Sequence, residues 1–190
     1  MTAPFDVLDR TAEEPNFWVG RSGYRVLAFV EHVMQGTLVG TDAWFEKKSS
    51  DVSAHYGIGK LVGTPAAPQV HKYVDIRNTA WHAGVVDQPT APFVLRYPDV
   101  NPNYLTVGVE HEGYSGDPFG EDQYAATLWV HQQVLLEGPP VVAITAVTAD
   151  ELIPHHAINA LHAGCPGPTF PLARLLADLQ AWTTAGRPAP

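Results

Sequence analysis

Tyr24-Arg25-Val26-Leu27-Ala28-Phe29-Val30-Glu31-His32-Val33 is the stretch on which the fold turns. It has strand length, and apart from Arg25 and Glu31 it is apolar without alternation. A continuous run of that kind suits a strand covered on both faces, as in α/β sheets. His32 comes at its C-terminal end, the end at which open α/β sheets place their ligand sites. Two readings of His32 fit the run: a core-edge histidine satisfied by a hydrogen bond, or a metal ligand.

The second decisive stretch is Pro154–Pro168, P-H-H-A-I-N-A-L-H-A-G-C-P-G-P, with three histidines and the single cysteine of the chain. One cysteine excludes an internal disulfide. A lone cysteine ordinarily reads as a small buried apolar residue, but Cys165 lies between Gly164 and Pro166 in a histidine-rich loop, which is poor core sequence. That context favours a ligand. A catalytic zinc takes three protein ligands and keeps one open position, with nitrogen at about 2.0–2.1 Å and sulfur at about 2.3 Å. His155 and Cys165 supply two, so a third must come from far upstream, and His32 is the best candidate.

Composition narrows the class. The 190 residues fit one domain able to bury a core without disulfides, and 45% apolar content is ordinary for such a domain. A net charge of −9 without a basic stripe argues against nucleic acid and against attraction to anionic surfaces. No apolar stretch approaches the roughly 20 residues of a membrane span. Met1–Asp6 lacks the basic and apolar regions of a secretory signal. Either synthesis in the cytoplasm or a sequence already trimmed is the expectation, together with a monomeric state.

In chain order, residues 1–22 are polar and marked by Pro and Gly, and read as an irregular N-terminal arm; 23–185 form the domain, and 186–190 a tail or linker. Thr41 or Asp42 is the expected cap of a short helix through Phe45. His55–Ile58 and Val70–Val74 read as partner strands, joined by a turn at Gly59–Gly63 and a loop at Thr64–Pro68. Asn78–Gly84, N-T-A-W-H-A-G, contains Trp81 and His82: a packed Trp with a surface His, or one wall of a cleft. Val85–Pro102 is Pro-rich and reads as loop. In Tyr104–Glu112, period two puts Leu105, Val107 and Val109 on one face and Thr106, Gly108 and Glu110 on the other. Glu110 and Glu112 then point to the same side, either as a solvated sheet edge or as working carboxylates. A helix is expected from Gly120 to Leu136, burying Tyr124, Leu128 and Val134 and stopped by Gly138-Pro139-Pro140. Val141–Val147 reads as a further strand, and Leu172–Trp182 as a packing helix.

Five motifs then stand in one order: Val30-Glu31-His32, Val52-Ser53-Ala54-His55-Tyr56, Ala80-Trp81-His82-Ala83-Gly84, Val107–Gly113, and His155-x-x-Ile158-Asn159 followed by Cys165-Pro166-Gly167. Together they resemble the zinc N-acetylmuramoyl-L-alanine amidases of type 2, the family of phage endolysins, bacterial autolysins and animal peptidoglycan-recognition proteins. The resemblance runs from about Asn16 to Leu179. It implies an α/β domain with a central mixed β-sheet flanked by helices, Zn2+ held by His32, His155 and Cys165, and Glu110 as the catalytic carboxylate. His155 is preferred over His156 because it matches the His-x-x-Ile-Asn spacing. The implied reaction is hydrolysis of the amide between the lactyl group of N-acetylmuramic acid and L-alanine of peptidoglycan, in the manner of an endolysin that reaches the wall by holin-type release. Alternatives are a cytosolic amidase of recycled muropeptides and a peptidoglycan-binding module without activity. Many relatives carry a Lys two positions before the third ligand, where this chain has Ala163; His162 is either a substitute donor or a plain surface histidine. Tyr56, Trp81, His82 and Asn103 are the candidates for the substrate groove.

Overall fold

The computed structural model describes residues 5–60 and 69–189. Its strands are β1 (Asp6–Asp9), β2 (Phe17–Trp18), β3 (Ala28–Val33), β4 (Tyr56–Ile58), β5 (Gln69–Lys72), β6 (Thr79–Ala80), β7 (Thr106–His111) and β8 (Leu152–Pro154). Its helices are α1 (Leu38–Phe45), α2 (Pro92–Arg96), α3 (Glu121–Glu137) and α4 (Leu172–Thr184). Six strands form one mixed sheet in the order β1-β5-β4-β7-β3-β8, and β2 pairs with β6 apart from it. All neighbours in the large sheet are parallel except β4 with β5. The expected mixed α/β sheet is therefore present.

β3 lies inside this sheet, between β7 and β8, which explains its unbroken apolar sequence. Phe29 faces the larger core with Val107, Val109 and the inward residues Val130, Val134, Leu175 and Leu179 of α3 and α4. Ala28 and Val30 face the opposite core with Phe93, Val94, Ile153 and Ile158. Alternation is present but hidden, because both faces are covered. The same alternation sends Glu31 toward α3, where Oε1 meets His131 Nε2 at 2.7 Å, and His32 toward the other face.

α3 begins with Glu121 and Asp122 in its first turn, where the exposed N–H groups favour negative charge, and ends at Gly138 with φ of +57°. Tyr124 and Val134 are buried on it, and the partly buried Leu128 packs against the core. α4 buries Leu175, Leu179 and Trp182, consistent with its helical spacing.

Several expectations are corrected. The arm 1–22 is not irregular throughout: β1 adds to the sheet edge alongside β5, and β2 pairs with β6. The strand at 24–33 begins only at Ala28, since Val26 makes an isolated bridge to Val142. That bridge is all the pairing in 141–147; Val142, Ile144 and Val147 are buried there without forming a strand, and β8 takes the edge beside β3. α1 is capped by Thr37, whose Oγ1 accepts the Gly40 N–H at 3.1 Å. Thr41 and Asp42 lie inside the helix, and buried Asp42 accepts from His71 Nδ1 and Tyr73 Oη, each at 2.7 Å. The loop 85–102 contains the short α2. Leu105 precedes β7 and packs in the opposite core from Val107 and Val109. Nor do residues 186–189 dangle: the Arg187 guanidinium donates to the carbonyls of Leu135, Ile144 and Thr145, and Trp182 Nε1–H donates to Pro188 O at 2.8 Å. Most of the turn 59–63 and all of the loop 64–68 lie outside the described residues. Among the described residues no helix is long and apolar enough to cross a membrane.

Candidate metal centre

Two parallel strands lead to the site. β3 carries His32, and β8 runs directly into a 3-10 turn that begins at His155. Because Glu31 is in register with Pro154, the next residue on each chain arrives at the same end of the sheet, and the two imidazole centroids are 4.3 Å apart. The loop after His155 returns Cys165 to the same place. His156 holds that loop shut, with its N–H and Nδ1–H both donating to Cys165 O at 3.0 and 2.9 Å. His156 therefore closes the loop and His155 faces the site.

The donor atoms of His32, His155 and Cys165 all lie within 4.8 Å of one another. Cys165 Sγ stands 4.0 Å from His32 Nδ1 and accepts the Val33 N–H at 3.4 Å. Tetrahedral ligands on one zinc ion are separated by about 3.3–3.8 Å, so modest closure brings these three onto a common centre. Their chemistry also fits. Burial, aided by neighbouring histidines, keeps His32 well below the usual histidine range, and burial lowers His155 to about 4, so both offer lone pairs at neutral pH. Burial, followed by the Glu110 charge, pushes the Cys165 thiol up to about 12, so a nearby cation is what would ionise it. Two imidazoles and a thiolate are a donor set suited to zinc.

Glu110 comes from β7, in register with His32 on β3, and its Oε1 is 3.9 Å from His32 Nδ1. Its Oε2 is buried without a hydrogen-bond partner among the described residues, and burial raises the carboxyl to about 8. A cation alongside would favour the ionised form. Glu112 does not join it. Beyond the end of β7 its Oε2 accepts the Lys60 N–H at 2.7 Å, away from the site.

These groups form the floor of a cavity of about 850 Å³. Trp81, His82 and the exposed His162 line it, the last with its ring stacked on His155 at 4.6 Å between centroids. Tyr56 does not line it. Its side chain packs with the α3 core, while the site-facing position on β4 is Gly57, covered by Tyr73. Asn103 does not line it either: buried Oδ1 accepts the N–H groups of His82 at 3.1 Å and Ala83 at 2.8 Å, holding the wall from behind. The wall that sequence reasoning missed comes from Gln35, Thr37 and Trp44, at and within α1. Trp44 is 49% exposed and lines the cavity, a placement that nothing in its local sequence signals.

A family model described as N-acetylmuramoyl-L-alanine amidase matches residues 22–168. The chain belongs to this family. The amidase match spans His32, Glu110, His155 and Cys165 but ends before α4 and begins after β2. N-acetylmuramoyl-L-alanine amidase A of Achromobacter lyticus is 34% identical over 90 residues, which are 47% of this chain and 39% of that protein. The chain thus matches well under half the length of that relative. The selenomethionine derivative of AmpD superposes with a TM-score of 0.65 at 20% identity, covering 93% of this chain and 95% of the other. A mutant endolysin from Bacillus subtilis gives a TM-score of 0.56 at 13% identity, covering 97% and 99%. At those identities the structures share the amidase fold. Zinc is typical of the amidase family, and the His32–His155–Cys165 group can hold a metal ion.

Proposed function

We propose that the protein is a peptidoglycan hydrolase, cleaving the amide between the lactyl group of N-acetylmuramic acid and L-alanine of the stem peptide. The observation that carries this is the convergence of His32, His155 and Cys165, with Glu110 in register beside them, in a chain of the amidase family. His32, His155 and Cys165 are the groups that would hold zinc. Zinc supplies a water of pKa about 7 and polarisation of the scissile carbonyl. Glu110, beside these three, would take a proton from the attacking water and return it to the departing L-alanine nitrogen. The carbonyl carbon gains the hydroxyl, the C–N bond breaks, and the amine leaves neutral. His162, on the cavity wall beside His155, is positioned to donate a hydrogen bond to the developing negative charge, in place of the lysine that Ala163 lacks. Trp81 and Trp44 offer flat apolar area for sugar and peptide.

Digestion of purified cell walls tests the proposal. New free amino groups without new reducing sugars, lost with a chelator and regained with zinc, are expected. Walls that are bound but release no amine would favour the binding-module reading, to which Ala163 lends support.

A further inference from the structure

We infer that the dipeptide His82-Ala83 positions both histidine ligands, accepting a hydrogen bond from the outer nitrogen of each ring and so presenting both Nδ1 atoms to the metal. The inference rests on the reading of His32, His155 and Cys165 as ligands, and goes beyond it in naming what orients them.

The protons can be followed one bond at a time. Thr106 Oγ1 lies 2.8 Å from the Pro102 carbonyl, which can only accept, so the hydroxyl proton goes there. The Thr106 oxygen then accepts from His82 Nε2 at 3.1 Å, which places the His82 proton on Nε2. Buried and neutral, His82 keeps a lone pair at Nδ1, and this faces His32 Nε2 at 3.2 Å. His32 must donate from Nε2, leaving its own lone pair on Nδ1, the atom turned toward Cys165 and Glu110. One residue further on, the Ala83 carbonyl accepts from His155 Nε2 at 3.2 Å, with the same result for the second ring. Hydrogen bonds to the far nitrogen of a ligating histidine fix its tautomer and angle and raise its basicity.

The dipeptide is itself held. Asn103 Oδ1 binds both of its amide N–H groups. The His82 ring lies so close over Gly108 that a Cβ there would fall 2.3 Å from its Cγ. One face of β7 thus provides the anchor of the relay at Thr106, its seat at Gly108 and the carboxylate at Glu110.

The test is zinc affinity of the purified full chain, measured by competition with a chromophoric chelator, together with the visible spectrum of the cobalt form. His82→Phe keeps a flat ring but has no acceptor, and should weaken zinc by about 10–100-fold while leaving the melting of the metal-free protein near that of the parent. His82→Asn, which returns an acceptor near the position of Nδ1, should recover much of the loss. Thr106→Val, a small change that removes the acceptor behind His82, should weaken zinc less and shift the cobalt spectrum. Affinity within about threefold of the parent in both His82→Phe and Thr106→Val would overturn the inference. Failure of the parent itself to bind zinc would instead remove the metal-site reading, and the inference with it.

Discussion

His32 and Glu110 sit directly opposite one another on the parallel strands β3 and β7, with Nδ1 and Oε1 3.9 Å apart. One strand therefore brings a candidate ligand and its neighbour the carboxylate, and the register between them holds the two side chains together. Glu110→Gln keeps the shape and removes the base. Amine release from walls should fall by about 10²–10⁴-fold while zinc content by elemental analysis stays at the parent level. Retained hydrolysis in this variant would show that the proton goes elsewhere.

Cys165 is the candidate ligand that comes from a loop, and that loop is closed by His156. Cys165→Ala should lower zinc affinity by more than about 100-fold, beyond the usual effect of residues behind a ligand. The metal-free variant should melt close to the metal-free parent, because among the described residues Sγ makes only long contacts, to Val33 N–H at 3.4 Å and His32 Nδ1 at 4.0 Å. Competition titration and a thermal melt read the two effects separately.

Acid should destabilise the metal-free protein. Burial lowers His82 to about 3 and His111 and His155 to about 4, below the usual value of 6.5 that the unfolded chain regains. Between pH 6.5 and about 4 the unfolded state binds more protons, so stability is complete above 6.5 and falls as the pH drops. Each such histidine should cost on the order of 2 kcal/mol at pH 5. Denaturant midpoints at pH 5 and 7 measure this; equal midpoints would contradict the burial of these rings.

On the far side of the sheet, Glu31 is fully buried with Oε1 2.7 Å from His131 Nε2, while His111 Nδ1–H donates to the His32 carbonyl at 2.8 Å. Glu31→Ala should destabilise by about 1–3 kcal/mol, the usual cost of leaving a buried hydrogen-bond donor without its partner. Urea denaturation of the metal-free protein reads it directly.

Trp44 and Trp81 both line the cavity above the metal centre. Trp44→Ala should weaken binding to inert walls by about 2–12-fold, corresponding to roughly 0.5–1.5 kcal/mol for an aromatic contact, without changing zinc affinity. A pull-down with the Glu110→Gln background separates binding from turnover.

The elements written in local periodicity were legible: the helices at 121–137 and 172–184, the alternation of Thr106, Gly108 and Glu110, and the buried strand at 28–33. Tyr56 was misread because β4 alternates like any strand, so adjacent residues face opposite sides, and which side meets the cavity depends on the strands beside it. The segment 141–147 has the residues of a strand but loses the sheet edge to 152–154, a competition that local propensity cannot judge.

By itself the sequence determined the inventory: which residues were available to bind a metal, which strand was covered on both faces, and which family's motif order the chain follows. Only the tertiary structure decided that Asn103 stands behind the cavity wall while His82 lines it, that α1 supplies a wall, and that His82 Nδ1 meets His32 Nε2. Those outcomes depend on hydrogen bonds between residues 20 to 72 positions apart, and no periodicity along the chain encodes such pairings.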